Sequence, residues 1–424
     1  MGIKWRFNLW NHGGSSAPTV NSVKLVAEGD SITAGNLVDN PETNAYPAVA
    51  VAGIPNPPTI TLANIGTTGT LALQMNEDFD TRSGAEYDAS KDLNVFTILA
   101  GANDKNLTYA DKEIYLNLRS VLHKAKAKGF DRRLIGTLIA TDEDANEYRQ
   151  WGGDILLNQL IRQYWNSDLD ADGIFDFGSD PHFDEIADAD DLTYYDADKV
   201  HPTQAGHVVL AAIYKPVVAA AIAGPTARVE LPATWFEVDC SSELALKNGD
   251  RTAYWPVEGF TNASVRGARG KSQGKWYFET QHKVVDTTTG VGLMNIDFAG
   301  NLFANWNDIG NDPNSIGYMG NEGEIRYNGT NLATMGQILD TDVIAIAFDA
   351  DAHLVWFRRN SGNWNGDALA DPATGMGGID ISALGTGPLY PVGFILNSGC
   401  EITSRFAAGE TTGTIPTGFT VIGA

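Results

Sequence analysis

From Val23 onward, short apolar runs alternate with longer stretches in which apolar residues recur every three or four positions. Val23–Ala27, Thr59–Ala63, Leu93–Leu99, Leu134–Ile139 and Gly173–Phe177 read as strands. Ile114, Leu118, Val121, Leu122 and Ala125 make one apolar stripe of a helix that stops at Gly129. A second helical pattern runs from about Glu147 to Trp165. A third, Gln204 to Ala223, is almost continuously apolar after His207 and stops at Gly224-Pro225. Strands alternating with helices over residues 23–225 predict an α/β domain: a mostly parallel sheet covered by helices on both faces. After Pro225 the helical periods give way to short strand-like runs separated by Asn-Gly and Gly-rich turns, which predicts an all-β sandwich over 226–424. Residues 1–22, with Trp5, Phe7 and Trp10 ahead of the Gly/Ser stretch His12–Pro18, read as a lead segment, a candidate anchor outside either core.

Composition narrows the function. The 424 residues are 43% apolar and 19% charged, enough for large buried cores. Acidic residues outnumber basic ones 53 to 29, a net charge of -24 shared by both halves, which argues against a nucleic-acid partner held through phosphates. No stretch reads as the ~18 apolar residues of a membrane span, and Met1-Gly-Ile-Lys-Trp-Arg6 lacks a secretory signal. A soluble protein with no membrane partner is expected. Cys240 and Cys400 are too few for a disulfide scaffold or a cysteine zinc site; one bridge within the second half, or two reduced core thiols, both fit.

Candidate chemistry gathers at the strand ends. The first strand runs into Glu28-Gly29-Asp30-Ser31, where Gly29 permits a tight turn that presents the Ser31 hydroxyl. After the second strand, Asn64-Ile-Gly66-Thr-Thr-Gly69 offers glycine N–H groups to a developing oxyanion, and after the third, Gly101-Ala-Asn103-Asp104 offers an amide. Asp198-Lys-Val-His201-Pro202 precedes the last helix of this half; a carboxylate three residues ahead of a histidine can fix its tautomer and free the other ring nitrogen to take a serine proton. Of the other histidines only His182, in Asp180-Pro-His-Phe-Asp184, has a comparable neighbourhood, and it reads as a loop residue near the site mouth. Asp168-Leu-Asp-Ala-Asp172-Gly173 starts like a calcium loop, but position twelve would be Ser179, so a solvated turn is expected there.

These four ordered blocks resemble the SGNH hydrolases, also called GDSL esterases and lipases. The resemblance implies a flavodoxin-like three-layer α/β/α domain. It also implies Ser31 as nucleophile, His201 as base, Asp198 as its orienter, and an oxyanion hole from the Ser31 N–H, Gly69 and Asn103, with Gly66 the alternative glycine. No cofactor and no metal are required by that chemistry.

In the second half, Gly274-Lys-Trp-Tyr-Phe-Glu279, Val291-Gly-Leu293, Ser315-Ile-Gly-Tyr318, Glu324-Ile-Arg-Tyr-Asn-Gly329, Asp342–Asp349 and Leu389-Tyr-Pro391 resemble the ordered strands of SPRY domains. That implies a lectin-like sandwich whose loops bind a protein or glycan. Trp306 and Trp364 lie in Asn/Gly-rich stretches and fit exposed stacking rings or buried loop anchors equally well. Together the two resemblances imply a serine esterase removing short acyl groups, O-acetyl above all, from a cell-surface polysaccharide. A bacteriophage tail or other virion or particle surface is the expected setting, with the cytoplasm otherwise. The alternatives are a non-catalytic attachment protein that uses the SPRY-like half, and a lipase or thioesterase of the same fold.

Overall fold

A computed structural model describes residues 20–56, 58–143, 149–256, 260–285, 289–295 and 309–424. Most of the lead segment, the start of the second helical pattern at Glu147, and Trp306 lie outside them. The chain forms two compact units, one from Met1–Asn106, Lys128–Asn158 and Ala171–Thr226, the other from Leu107–Ala127, Gln159–Asp170 and Ala227–Ala424.

In the first unit five strands, Ser22–Gly29, Thr59–Asn64, Leu93–Leu99, Arg132–Gly136 and Gly173–Phe175, make a sheet in the order second, first, third, fourth, fifth, with every neighbouring pair parallel. All seven residues of Leu93–Leu99 are buried, as expected of a central parallel strand. The chain moves from the first strand to one edge and returns past it to the third. The carboxyl ends of these two neighbours therefore form the switch point at which such sheets bind ligands. One strand ends before its apolar run does: Leu138 and Ile139 are buried beyond Gly136, where Asn158 bonds both the N–H and the carbonyl of Leu138, at 2.8 Å each, and Trp151 bonds the Ile139 carbonyl.

The second helical pattern is shorter than predicted. The helix is Leu156–Tyr164, and Gln150–Trp151 instead pairs with Thr141–Asp142 in a short antiparallel ribbon. Gly152 and Gly153 separate the two; a Cβ at Gly153 would stand 1.8 Å from the Gly178 carbonyl oxygen, so close backbone approach overrides the periodicity. The last helix, Gln204–Ala223, corrects the absence of a span-length stretch: by length and composition, with mean hydropathy 1.7, it could cross a membrane. One stripe of it, Gly206, His207, Leu210, Ala211, Tyr214, Val218 and Ala221, is buried, and Tyr214 Oη meets Thr97 Oγ1 on the third strand at 2.9 Å.

The second unit carries two sheets, of eight and seven strands among the described residues, antiparallel except where Thr420–Val421 pairs parallel with Lys275–Lys283. Residues from both, including Trp235, Phe278, Val291, Ile316, Ile344, Phe348, Phe357 and Ile395, share one buried core, as expected of a sandwich. Strands occupy the segments singled out in the sequence, among them Lys275–Lys283, Thr289–Met294, Ser315–Met319, Val343–Asp349 and Tyr390–Asn397. Asn328 and Gly329, both at positive φ (47° and 72°), form the tight turn joining Glu324–Tyr327 to Thr330–Thr334. Cys240 and Cys400 are both buried and are not joined in a disulfide, and Trp364 is a buried anchor with the Arg358 guanidinium 4.3 Å over its ring.

The acidic turn is not solvated. Asp168, Asp170 and Asp172 are all buried, and each is claimed by cations: Asp168 by Arg266 and Arg119, Asp170 by Arg228 and Lys126, Asp172 by Arg133. Among the described residues no group of three or more His, Cys, Asp or Glu is placed to hold a metal ion.

Candidate active site

Ser31 opens a four-residue helix, Ser31–Ala34, directly after the first strand. Asp30 caps it, its Oδ1 accepting the Ile32 N–H at 3.0 Å. Gly29 is obligatory at this turn, since a Cβ there would lie 2.1 Å from Thr33 Oγ1 and 2.8 Å from the Leu99 carbonyl oxygen. The turn leaves Ser31 only 7% exposed.

His201 reaches Ser31 from a loop pinned on both sides. Tyr195 bridges to Pro202 and bonds the Ala140 carbonyl at 2.7 Å, and the Asp196 N–H bonds the His201 carbonyl at 2.8 Å. His201 Nε2 lies 2.7 Å from Ser31 Oγ, and His201 Nδ1 lies 2.5 Å from Asp198 Oδ2. An ionised carboxylate only accepts, so Nδ1 carries the proton and donates, and Nε2 of the neutral ring is left to accept from the Ser31 hydroxyl. The other Asp198 oxygen accepts the backbone N–H groups of Val200 (3.0 Å) and His201 (2.9 Å). Burial raises the Asp198 carboxyl, but these N–H groups and the imidazole outweigh it and hold the group below its ordinary range, ionised against the ring.

Residues 27–209 match the GDSL-like Lipase/Acylhydrolase family. They are a GDSL-like hydrolase domain. Among solved structures, the chain is similar to a lipolytic protein of the G-D-S-L family from Veillonella parvula, at 21% identity over 46% of this chain and 98% of that one, TM-score 0.38. It is similar to the acetylxylan esterase Axe2 from Geobacillus stearothermophilus, at 21% identity over 47% and 95%, TM-score 0.35. It is also similar to the SPRY domain of human HERC1, at 15% identity over 40% and 96%, TM-score 0.32. No curated protein sequence matches the chain.

Around Ser31 the GDSL-like domain fastens the other two strand-end loops. Asn64 Nδ2 donates to the Thr33 carbonyl at 2.7 Å, and the Thr67 N–H donates to the Gly29 carbonyl at 3.0 Å. A Cβ at Gly66 would stand 2.4 Å from the Ala34 nitrogen, so this glycine serves close packing, and its N–H is taken by Asn64 Oδ1 at 3.1 Å. Gly69, at φ 79°, has open space around it, and its N–H has no partner among the described residues. Asn103 Nδ2 donates to the carbonyl of Thr70, one residue beyond Gly69, at 3.2 Å. The geometry thus separates the two glycines, one structural and one with its donor unused.

Several residues of the GDSL-like domain escaped the sequence reading. Buried Glu28 binds Arg82 at 2.7 Å and Ser83 at 2.6 Å, anchoring the segment that also reaches the Ile65 carbonyl. Asp104 accepts the Ala72 N–H with both oxygens, and burial raises its carboxyl. Arg149 Nη2 donates to Asn103 Oδ1 at 3.4 Å. His207 accepts the Tyr46 N–H at Nδ1; burial, with the charge of His201 adding to it, lowers its pKa to about 4 and keeps it neutral. All rest on contacts between residues distant in sequence, for which no local pattern exists. His182 pairs with Asp180 at 2.7 Å and lies against Tyr194 with the two rings tilted by 59°, so its place is that of a loop residue.

Proposed function

We propose that Ser31, His201 and Asp198 are nucleophile, base and orienter of a serine esterase that cleaves short acyl esters, O-acetyl groups on a polysaccharide above all. The observation that carries the reading is the unbroken relay from Asp198 through His201 to Ser31 Oγ. In the first step the Ser31 proton passes to His201 Nε2 as Oγ attacks the acyl carbon. The oxyanion is received by N–H groups of Ser31 and Gly69 and by the Asn103 amide. The imidazolium, held by Asp198, then protonates the departing sugar oxygen. Water, deprotonated by the same ring, releases the acid and regenerates Ser31.

Polysaccharide as substrate is supported by the attached β-sandwich, a second unit able to hold a polymer or surface partner while the ester is cut, as a particle-surface or bacteriophage tail protein would require. The test is hydrolysis of p-nitrophenyl acetate, butyrate and octanoate by the protein and by Ser31→Ala. Acetate turnover should exceed octanoate turnover and fall at least 10³-fold on substitution. Preference for octanoate overturns the short-acyl reading. Folded protein that neither turns over any ester nor labels at Ser31 with a fluorophosphonate overturns the esterase reading.

A further inference from the structure

Asn103 differs from the other expected oxyanion donors in being a side-chain amide, which can present either its oxygen or its nitrogen to a site. Two neighbours select the orientation. Its Nδ2 donates to the Thr70 carbonyl at 3.2 Å, and its Oδ1 accepts from Arg149 Nη2 at 3.4 Å. A carbonyl can only accept and a guanidinium can only donate. Turning the amide over would set oxygen against oxygen and N–H against N–H, so the pair of neighbours excludes it. In the selected orientation one Nδ2 proton is used by Thr70, and the second has no partner among the described residues.

We propose that Arg149 is a positioning residue of the active site, holding the Asn103 amide with its free N–H available to the oxyanion and polarising that N–H through its hold on the amide oxygen. The proposal rests on the esterase reading above. Arg149 is itself secured. Its carbonyl accepts the Thr141 hydroxyl at 2.7 Å and the Glu143 N–H at 3.2 Å, its Nε stands 3.4 Å from Glu143 Oε2, and it directly precedes the Gln150–Trp151 strand of the ribbon. Only about a fifth of its side chain is exposed.

The test combines kinetics with a direct view of the amide. For p-nitrophenyl acetate, Asn103→Ala should lower kcat by on the order of 10²-fold or more. Arg149→Met should lower it by about tenfold with KM unchanged, and Arg149→Lys, which keeps a donor, should recover part of that loss. Combined with Asn103→Ala, Arg149→Met should cost nothing further; an equal further loss overturns the proposal. Independently of activity, the Asn103 side-chain amide protons, assigned by their loss in Asn103→Ala, should shift and broaden in Arg149→Met and in the milder Arg149→Gln. Unchanged amide signals in both variants overturn it. If the protein shows no Ser31-dependent turnover, the esterase reading fails, and the amide spectrum alone decides whether Arg149 sets the orientation.

Discussion

Asp30 has to cap the Ser31 turn from a fully buried position, and the two demands conflict. Burial, helped by the charge of Asp104, raises its carboxyl to about 6 against the opposing pull of the Ile32 N–H, His201 and Arg149. Between pH 4 and 6 the folded protein therefore binds a proton that the unfolded chain has already released, and stability falls as pH rises through that window. Asparagine caps as well and carries no charge. The advantage of the native protein over Asp30→Asn should shrink by roughly 2 kcal/mol from pH 4 to pH 7. Unfolding midpoints of the two proteins across that range check this, and a constant gap would refute it.

At the scale of the element, the site depends on how closely the loop after the second strand lies against the Ser31 turn. Gly66→Ala drives a Cβ into the Ala34 backbone, which cannot yield without moving the turn. Fluorophosphonate labelling of Ser31 should slow by at least about tenfold, as expected when a nucleophile is displaced by around an ångström. Gly69→Ala meets nothing within 4 Å and pays only for its left-handed backbone, φ 79°, about 1 kcal/mol. Labelling should be nearly unchanged in that variant. Equal effects from the two would mean that packing on Ala34 does not set the Ser31 geometry. Element type was legible wherever periodicity ran uninterrupted, as in Leu93–Leu99 and Gln204–Ala223. It failed at 150–153, where an apolar pattern continues through glycines that another backbone segment needs.

For the whole molecule, the second unit is not the simple C-terminal half. It includes Leu107–Ala127 and Gln159–Asp170, and within it two arginines and two aspartates, all buried, bind one another. Arg266 binds Asp168 at 2.6 Å and Asp239 at 2.5 Å, Arg119 binds Asp239 at 2.5 Å, and the Arg266 guanidinium sits between the rings of Phe236 and Tyr390. Removing one member strands a buried charge. Asp239→Ala should cost about 3–5 kcal/mol of the second unit's stability. A fragment of residues 227–424, lacking Arg119 and Asp168, should fail to fold cooperatively. A sharp thermal transition in that fragment would contradict this.

The sequence by itself determined the things that local chemistry encodes. Hydrophobic period separated the α/β half from the β half, turn residues marked the hairpins, and three short motifs at strand ends and one ahead of the last helix named Ser31, Gly69 or Gly66, Asn103, Asp198 and His201. Each signal lies within a few neighbouring residues, so it survives in one dimension. Tertiary structure decided what depends on distance between remote segments: that Gly66 is spent on packing while Gly69 keeps its N–H, that Arg149 faces Asn103, and that the Asp168–Asp172 turn is neutralised by arginines rather than solvated. Buried charges and close backbone contacts are satisfied by partners tens to hundreds of residues away, and only the folded chain brings those partners together.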